Sequence, residues 1–368
     1  MSRERYVFVG TYTEPIRFGT GKILQGKGKG IHVYKLDVET GALRPWRVVE
    51  GIQNPSYLAL APSRRFLYAV NELKEYEGRP SGAVSAFALD PNTGDLTFLN
   101  QKATHGTDPC HLTVDATEQY VLVANFMSGS VCVLPIQADG SLGDATDFIQ
   151  HEGSSVHPTR QTGPHAHAVT LDATGQYVYV PDLGLDQLMI YQLNLAQGTL
   201  EPASQPWIKT APGAGPRQVV MHPSRDFAYL INELDSTMTA YRYQREDGSL
   251  RELQTLSTLP EGFSGDSTCA EVQIAPSGKF LYGSNRGHDS IVIYAVDQNN
   301  GTLTAIGHRS AHGKTPRNFV ISPDGDMLII ANQDIGNMVT FKLDQASGDF
   351  TETGFSVEVG TPVCVKIL

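Results

Sequence analysis

The sequence predicts an all-β protein: a seven-bladed β-propeller with four-stranded blades, one domain over residues 1–368, its ring closed by pairing of the N- and C-terminal strands. Three observations predict it. A hairpin pattern recurs at intervals of about 46 to 55 residues, the length of a four-stranded blade. The chain opens on a lone second strand and closes on a lone first strand. Its 36 Gly and 21 Pro supply the turns that many short strands need, and few segments carry a helical period of apolar residues.

Taken in order, Tyr6-Val7-Phe8-Val9-Gly10-Thr11-Tyr12 reads as the second strand of a blade whose first strand is missing. The residues before it are too few for a signal-peptide core. A Gly- and Lys-rich insertion follows between Thr13 and Gly30. Within it, Gly21-x-x-x-x-Gly26-Lys27-Gly28 nearly spells a phosphate-binding loop, but the closing Ser/Thr is absent. A strand, Ile31 to Leu36, follows where a helix is required, so the segment reads as a mobile loop.

The second blade is the clearest. Pro55 to Leu60 and Phe66 to Asn71 form its inner hairpin, Ala83 to Asp90 its third strand, and Pro91-Asn92-Thr93-Gly94 turns into the fourth. Further copies begin at Pro109, Pro164, Pro216, Cys269 and Pro316. In the copy at Pro216, His222-Pro223-Ser224-Arg225-Asp226 supplies the turn, so antiparallel pairing brings Arg217 and Glu233 to one edge. Arg160 and Gln161 end a second irregular stretch, the kind of loop that builds binding surfaces on a rigid scaffold. Pro362 to Leu368 resembles a first strand and is expected to pair with Tyr6 to Gly10, removing an open sheet edge. A pair of β-sandwiches would use similar strands but would not split the terminal copies.

Composition narrows the function. Charged residues are 18% and hydrophobic residues 40%, which marks a globular chain. A formal net charge of −11 argues against nucleic acid and anionic membrane as partners, though not against an anionic small molecule in a locally basic pocket. No apolar run approaches the length of a membrane span. Cys110, Cys132, Cys269 and Cys364 show no CxxC pairing and are expected as buried thiols in a cytoplasmic protein.

Aligned on their turns, the blades place Val363, Ser56, Cys110, His167, Arg217, Ala270 and Arg317 at the entrance of the first strand. Thr11, Asn71, Asn125, Asp182, Asn232, Asn285 and Asn332 leave the second strand. Tyr12, Glu72, Phe126, Leu183, Glu233, Arg286 and Gln333 come next. First strands line the channel, so these positions ring one mouth. The repeated Asn is expected to be blade architecture, because Asn and Asp hydrogen-bond local backbone at strand ends. The charged residues do not repeat. His167, Arg217, Glu233, Arg286 and Arg317 combine a base, an acid and guanidiniums, a set suited to anion binding and proton transfer rather than to ion pairs between blades. His165 shares a strand face with His167, Asp182 is a neighbour, and His288 is a further candidate for the mouth. No third His or Cys stands at a ligand position, so no metal site is expected. No Gly-x-Ser-x-Gly elbow is present.

These residues resemble those of the seven-bladed β-propeller lactonases, which include bacterial 6-phosphogluconolactonase and the fungal 3-carboxy-cis,cis-muconate lactonizing enzyme. The resemblance rests on Gly163-Pro164-His165-Ala166-His167, on Gly215-Pro216-Arg217 with Asn232-Glu233-Leu234, on Ser284 to Ser290, and on Pro316-Arg317-Asn318-Phe319 with Ser322-Pro323-Asp324-Gly325. It implies catalysis by His167, Glu233, Arg217 and Arg286 without metal or cofactor. Family members often carry His after the Pro-Arg pair, where this chain has Gln218.

The leading expectation is therefore hydrolysis of a sugar-acid lactone such as 6-phosphogluconolactone. Neutral His167 would take a proton from water, Glu233 would share that proton or act as general acid, and Arg217 and Arg286 would bind the anion. His165, Arg317, Asp182 and His288 are expected to bind substrate. The expected partner is a small anionic lactone or carboxylate, taken by a monomer or weak homodimer. A muconate cycloisomerase and a non-enzymatic binding propeller are the alternatives.

Overall fold

The computed structural model describes residues 4–17 and 21–368. Residues 1–3 of the N-terminal stretch, and the part of the Gly/Lys-rich insertion at 18–20, lie outside the described residues. Among the described residues there is no α-helix, and seven antiparallel four-stranded sheets follow one another around a ring. Blade one is built from both ends of the chain. Pro362–Ile367 is its innermost strand and pairs with Glu4–Thr11, Val7 facing Ile367 and Val9 facing Val365.

The recurring sequence features have physical reasons. Strands that alternate apolar residues bury both faces of each sheet against the neighbouring blades. Seven clusters of buried apolar side chains result, one per junction. The junction that closes the ring packs Met327, Ile329 and Ala331 of blade seven against Val7, Val9, Tyr34 and Val365 of blade one. The Tyr of the second strand is an interblade tie. Tyr179 donates its hydroxyl hydrogen to the carbonyl of Gly248 at 2.6 Å, and Tyr282 to that of Gly348 at 2.8 Å, each in the outer turn of the next blade. Those turns need glycine: Gly248 sits at φ +71° and Gly348 at φ +74°, a region costly for residues with a Cβ.

The strand-end Asn residues are architectural. Asn71 donates to the carbonyl of Gln53 at 2.7 Å, Asn285 to that of Thr258 at 2.7 Å and Asn332 to that of Ala311 at 3.0 Å, so each pins the segment that enters its own blade.

A bulge at the entrance of the first strand positions the mouth. The ladders skip Cys110, Arg217, Arg317 and Val363, each of which lies between two paired residues. Such a bulge re-aims one side chain out of the sheet, here into the channel. Blade four departs from the pattern. Its first strand is only Thr170–Leu171, preceded by a single bridge between Ala166 and Asp182. His167 thus occupies the bulge position, and the equivalent of Pro216 is Ala166 rather than Pro164.

The described parts of the insertion in blade one fold back as a short hairpin. Ile16–Arg17 pairs with Ile23–Leu24, and the chain returns through Gly28, whose amide donates to Tyr12 at 2.9 Å. A Cβ on Gly28 would sit 2.0 Å from the Thr11 hydroxyl oxygen, so only glycine allows this approach.

Candidate active site

A cleft of about 350 Å³ opens at the channel mouth. His167, Glu233, Arg286 and Arg317 line it together with Glu72, Cys110, Phe126 and Arg160, and Arg17 and Lys22 reach it from the inserted hairpin. A narrower cavity, which shares His167, Glu72 and Arg317 with the cleft, is lined also by Arg217, Gln218, Glu271 and Asn318.

Glu233 is the centre of charge. Its carboxylate is met by Arg160 at 2.6 Å, Arg217 at 3.1 Å and Arg286 at 3.0 Å. Burial by itself would raise the pKa of this acid. The guanidiniums of Arg286, Arg160 and Arg217 overcome that and hold it well below the usual carboxylate range. Glu233 is therefore a permanent carboxylate at neutral pH. It can orient a partner or stabilise a cation, and the expected role of general acid does not fit it.

His167 packs edge-on against Phe126, with ring centroids 5.4 Å apart, and is 8% exposed. Burial, reinforced by the guanidinium of Arg217, holds its imidazole well below the usual value against the pull of Glu233. It is neutral at pH 7, with a nitrogen free to act as a base. Cys110 shares the cleft but is no nucleophile. Its thiol points to the carbonyl oxygen of His167 at 3.2 Å, and burial pushes its pKa far above that of a reactive cysteine.

The remaining expected residues divide. Arg317 reaches the cleft, its guanidinium carbon 5.7 Å from the centre of the Tyr12 ring. Arg217 sits below the cleft, tied between Glu233 and the carbonyl of Ala270, and supports Glu233 from the narrow channel instead of meeting the cleft directly. His165, Asp182 and His288, expected to bind substrate, do not line the cleft. His165 stacks on Phe126 and bonds its carbonyl at 3.0 Å through Nδ1. Asp182 is consumed by His151 at 2.7 Å and by the amides of His165 and Gly184 at 2.7 and 3.0 Å. Its substitution for the strand-end Asn serves this capture. His288 bonds the Ser290 hydroxyl at 2.6 Å and packs against Phe263.

Two contributors were not singled out from sequence. Arg160 comes from the irregular stretch before blade four, whose backbone is pinned. Gln161 donates to the carbonyl of Leu183 at 2.8 Å, and the Ser155 hydroxyl to Asp186 at 2.6 Å. No local pattern marks that arginine. Glu72 did leave a signal: Asn71-Glu72-Leu73 repeats Asn232-Glu233-Leu234 at the same blade position.

Known proteins resemble this chain over nearly its whole length. The family model described as lactonase, 7-bladed beta-propeller, matches residues 6–367. The chain belongs to the seven-bladed β-propeller lactonase family. It is 37% identical over 362 residues to 6-phosphogluconolactonase of Bacillus subtilis, covering 98% of this chain and 97% of that one. It is 33% identical over 319 residues to 6-phosphogluconolactonase of Formosa agariphila, covering 86% of each. The solved structure of Pseudomonas aeruginosa periplasmic gluconolactonase PpgL matches this lactonase-family chain with a TM-score of 0.91 at 35% identity, with 99% of each chain covered.

Proposed function

We propose that this protein hydrolyses the lactone of a sugar acid, 6-phosphogluconolactone being the first candidate, in carbohydrate metabolism. The observation that carries the reading is a neutral imidazole, His167, beside a carboxylate held by three guanidiniums at the mouth of a lactonase-family propeller. Water bound next to His167 gives a proton to its free nitrogen while the oxygen attacks the lactone carbonyl. Arg286 and Arg317, both lining the cleft, stabilise the developing oxyanion and hold the anionic end of the substrate. Glu233 offsets the charge of the arginines and fixes their geometry. It also stabilises the imidazolium once the proton has moved.

The substrate class follows from the rim. Arg17, Lys22 and Arg160 add cationic groups around the opening, which suits an anionic substituent such as a phosphate on the sugar. Similarity to relatives named 6-phosphogluconolactonase supports the same choice. The reading includes catalysis without a resident metal, since His165 and Asp182, the groups that would have to join His167 in holding one, are engaged elsewhere. A screen of sugar lactones and their 6-phosphates, corrected for spontaneous hydrolysis, tests the proposal. Turnover of a phosphorylated sugar lactone is expected, and failure to accelerate any lactone would refute it.

A further inference from the structure

Glu72 lines both the cleft and the cavity below it, with His167 and Arg317, yet the chemistry above gives it no task. It follows Asn71 as Glu233 follows Asn232, so two blades project a carboxyl from equivalent positions into opposite surroundings. Glu233 receives three guanidiniums. Glu72 is 8% exposed, and the hydroxyl of Tyr12 stands 3.1 and 3.0 Å from its two oxygens.

A phenol has one hydrogen to donate and lone pairs to accept. Set between the two oxygens, it donates its hydrogen to the carboxyl group, an effect that favours the ionised form and is smaller than that of burial. The charged and titratable groups facing Glu72 are Arg317, Asp108, which is tied to Lys74 at 3.3 Å, and Tyr12, Cys110 and His167. Burial outweighs the guanidinium of Arg317 and pushes the carboxyl up to about 7, while burial keeps the Tyr12 phenol protonated.

We propose that Glu72 is the acid that protonates the leaving ring oxygen when the lactone opens. The proposal rests on the lactonase reading and completes its proton balance, since Glu233 is a fixed carboxylate. Water oxygen bonds to the carbonyl carbon and one water proton passes to His167. The bond between that carbon and the ring oxygen then breaks, and the proton of Glu72 moves to the departing oxygen, leaving a hydroxy acid. The new carboxyl group loses its proton, and the imidazolium returns its own to Glu72 directly or through solvent. The sum is lactone plus water giving hydroxy-carboxylate plus one proton.

Two measurements on the full chain test this. Infrared titration of wild type against Glu72→Gln reads the ionisation of this carboxyl, and steady-state hydrolysis of 6-phosphogluconolactone across pH reads its use. Glu72 is expected to remain protonated at pH 6. Glu72→Gln is expected to lose about 10²- to 10⁴-fold in kcat with little change in KM, and to lose the fall in kcat on the alkaline side. Glu72 already ionised at pH 6 overturns the assignment whatever the activity. Wild-type hydrolysis with an unchanged Glu72→Gln profile overturns it while the lactonase reading stands, and a wild type inert towards lactones overturns both. If Glu72→Gln does not fold, Tyr12→Phe serves instead. Loss of the phenol bond should move the alkaline limb to higher pH, and an unmoved limb contradicts the proposal.

Discussion

Arg160 lies 2.6 Å from Glu233, although one belongs to the loop entering blade four and the other directly follows a strand of blade five. That contact closes the third side of the guanidinium cage and ties the loop entering blade four to the Glu233 carboxylate. Arg160→Ala should leave the propeller folded, because the loop backbone is held independently by Gln161 and Ser155. A hydrogen bond between charged groups is worth about 1.5–3 kcal/mol, so kcat/KM should fall roughly ten- to hundredfold. Arg160→Lys should recover part of it. Unchanged steady-state kinetics for Arg160→Ala would show that the contact is incidental.

Ring closure gives a second expectation. Pro362–Ile367 supplies the inner strand of blade one, and Val365, Ile367 and Cys364 belong to the junctions on both its sides. Its backbone is also held from blade seven, where the Asn318 side chain accepts from the Val365 amide at 2.8 Å. Deleting Pro362 to Leu368 should lower the thermal midpoint severely and promote association through the exposed edge of Glu4–Thr11. A truncated protein that melts within a few degrees of the full chain contradicts this.

Glu72 ties stability to pH. Its folded pKa, about 7, lies above the value of about 4.3 for an unfolded chain, so the folded state binds the extra proton between these limits. The stability this carboxyl contributes is present in acid and lost as pH rises through 7. Glu72→Gln does not titrate. The difference in unfolding free energy between wild type and Glu72→Gln should therefore shift in favour of the glutamine variant from pH 5 to pH 8, by on the order of 3 kcal/mol. Denaturant unfolding at both pH values checks it, and a pH-independent difference would contradict it.

His167 sets the acid limb of activity. Its pKa is depressed, so the free base persists below the ordinary imidazole value of about 6.5 and is lost only as pH falls further. The acid-side fall in kcat/KM should lie well below pH 6.5. A limb at or above that value would mean that another group, or a charged imidazole, governs the reaction.

Much of the fold was legible because it is repetitive. Four blades carry the tying Tyr, at Tyr68, Tyr179, Tyr229 and Tyr282, and five end the second strand on Asn, so the pattern shows through although no single residue repeats in every blade. The bulge position was legible for the same reason, which brought His167, Arg217 and Arg317 to the channel. What could not be read was which bulge residues face open cleft and which are buried beneath it. Arg217 and Arg317 look alike in sequence, each following a Pro at the strand entrance, yet only the second lines the cleft. His165 and Asp182 were drawn into the site by adjacency, whereas Asp182 had been recruited by His151, distant in sequence and without a motif. Arg160 was hidden because long loops carry no period, and the roles of Glu72 and Glu233 diverge through burial and neighbours that sequence position does not encode.

The central claim is that this mouth hydrolyses a lactone through His167. The most direct measurement is the hydrolysis of 6-phosphogluconolactone by wild type and by His167→Ala, followed by proton release and corrected for the spontaneous reaction. Wild type should accelerate hydrolysis, and His167→Ala, with an unchanged thermal midpoint, should lose about 10²- to 10⁴-fold in kcat. A His167→Ala variant that keeps near-normal kcat on the substrate would contradict the account, whatever the fold and the family.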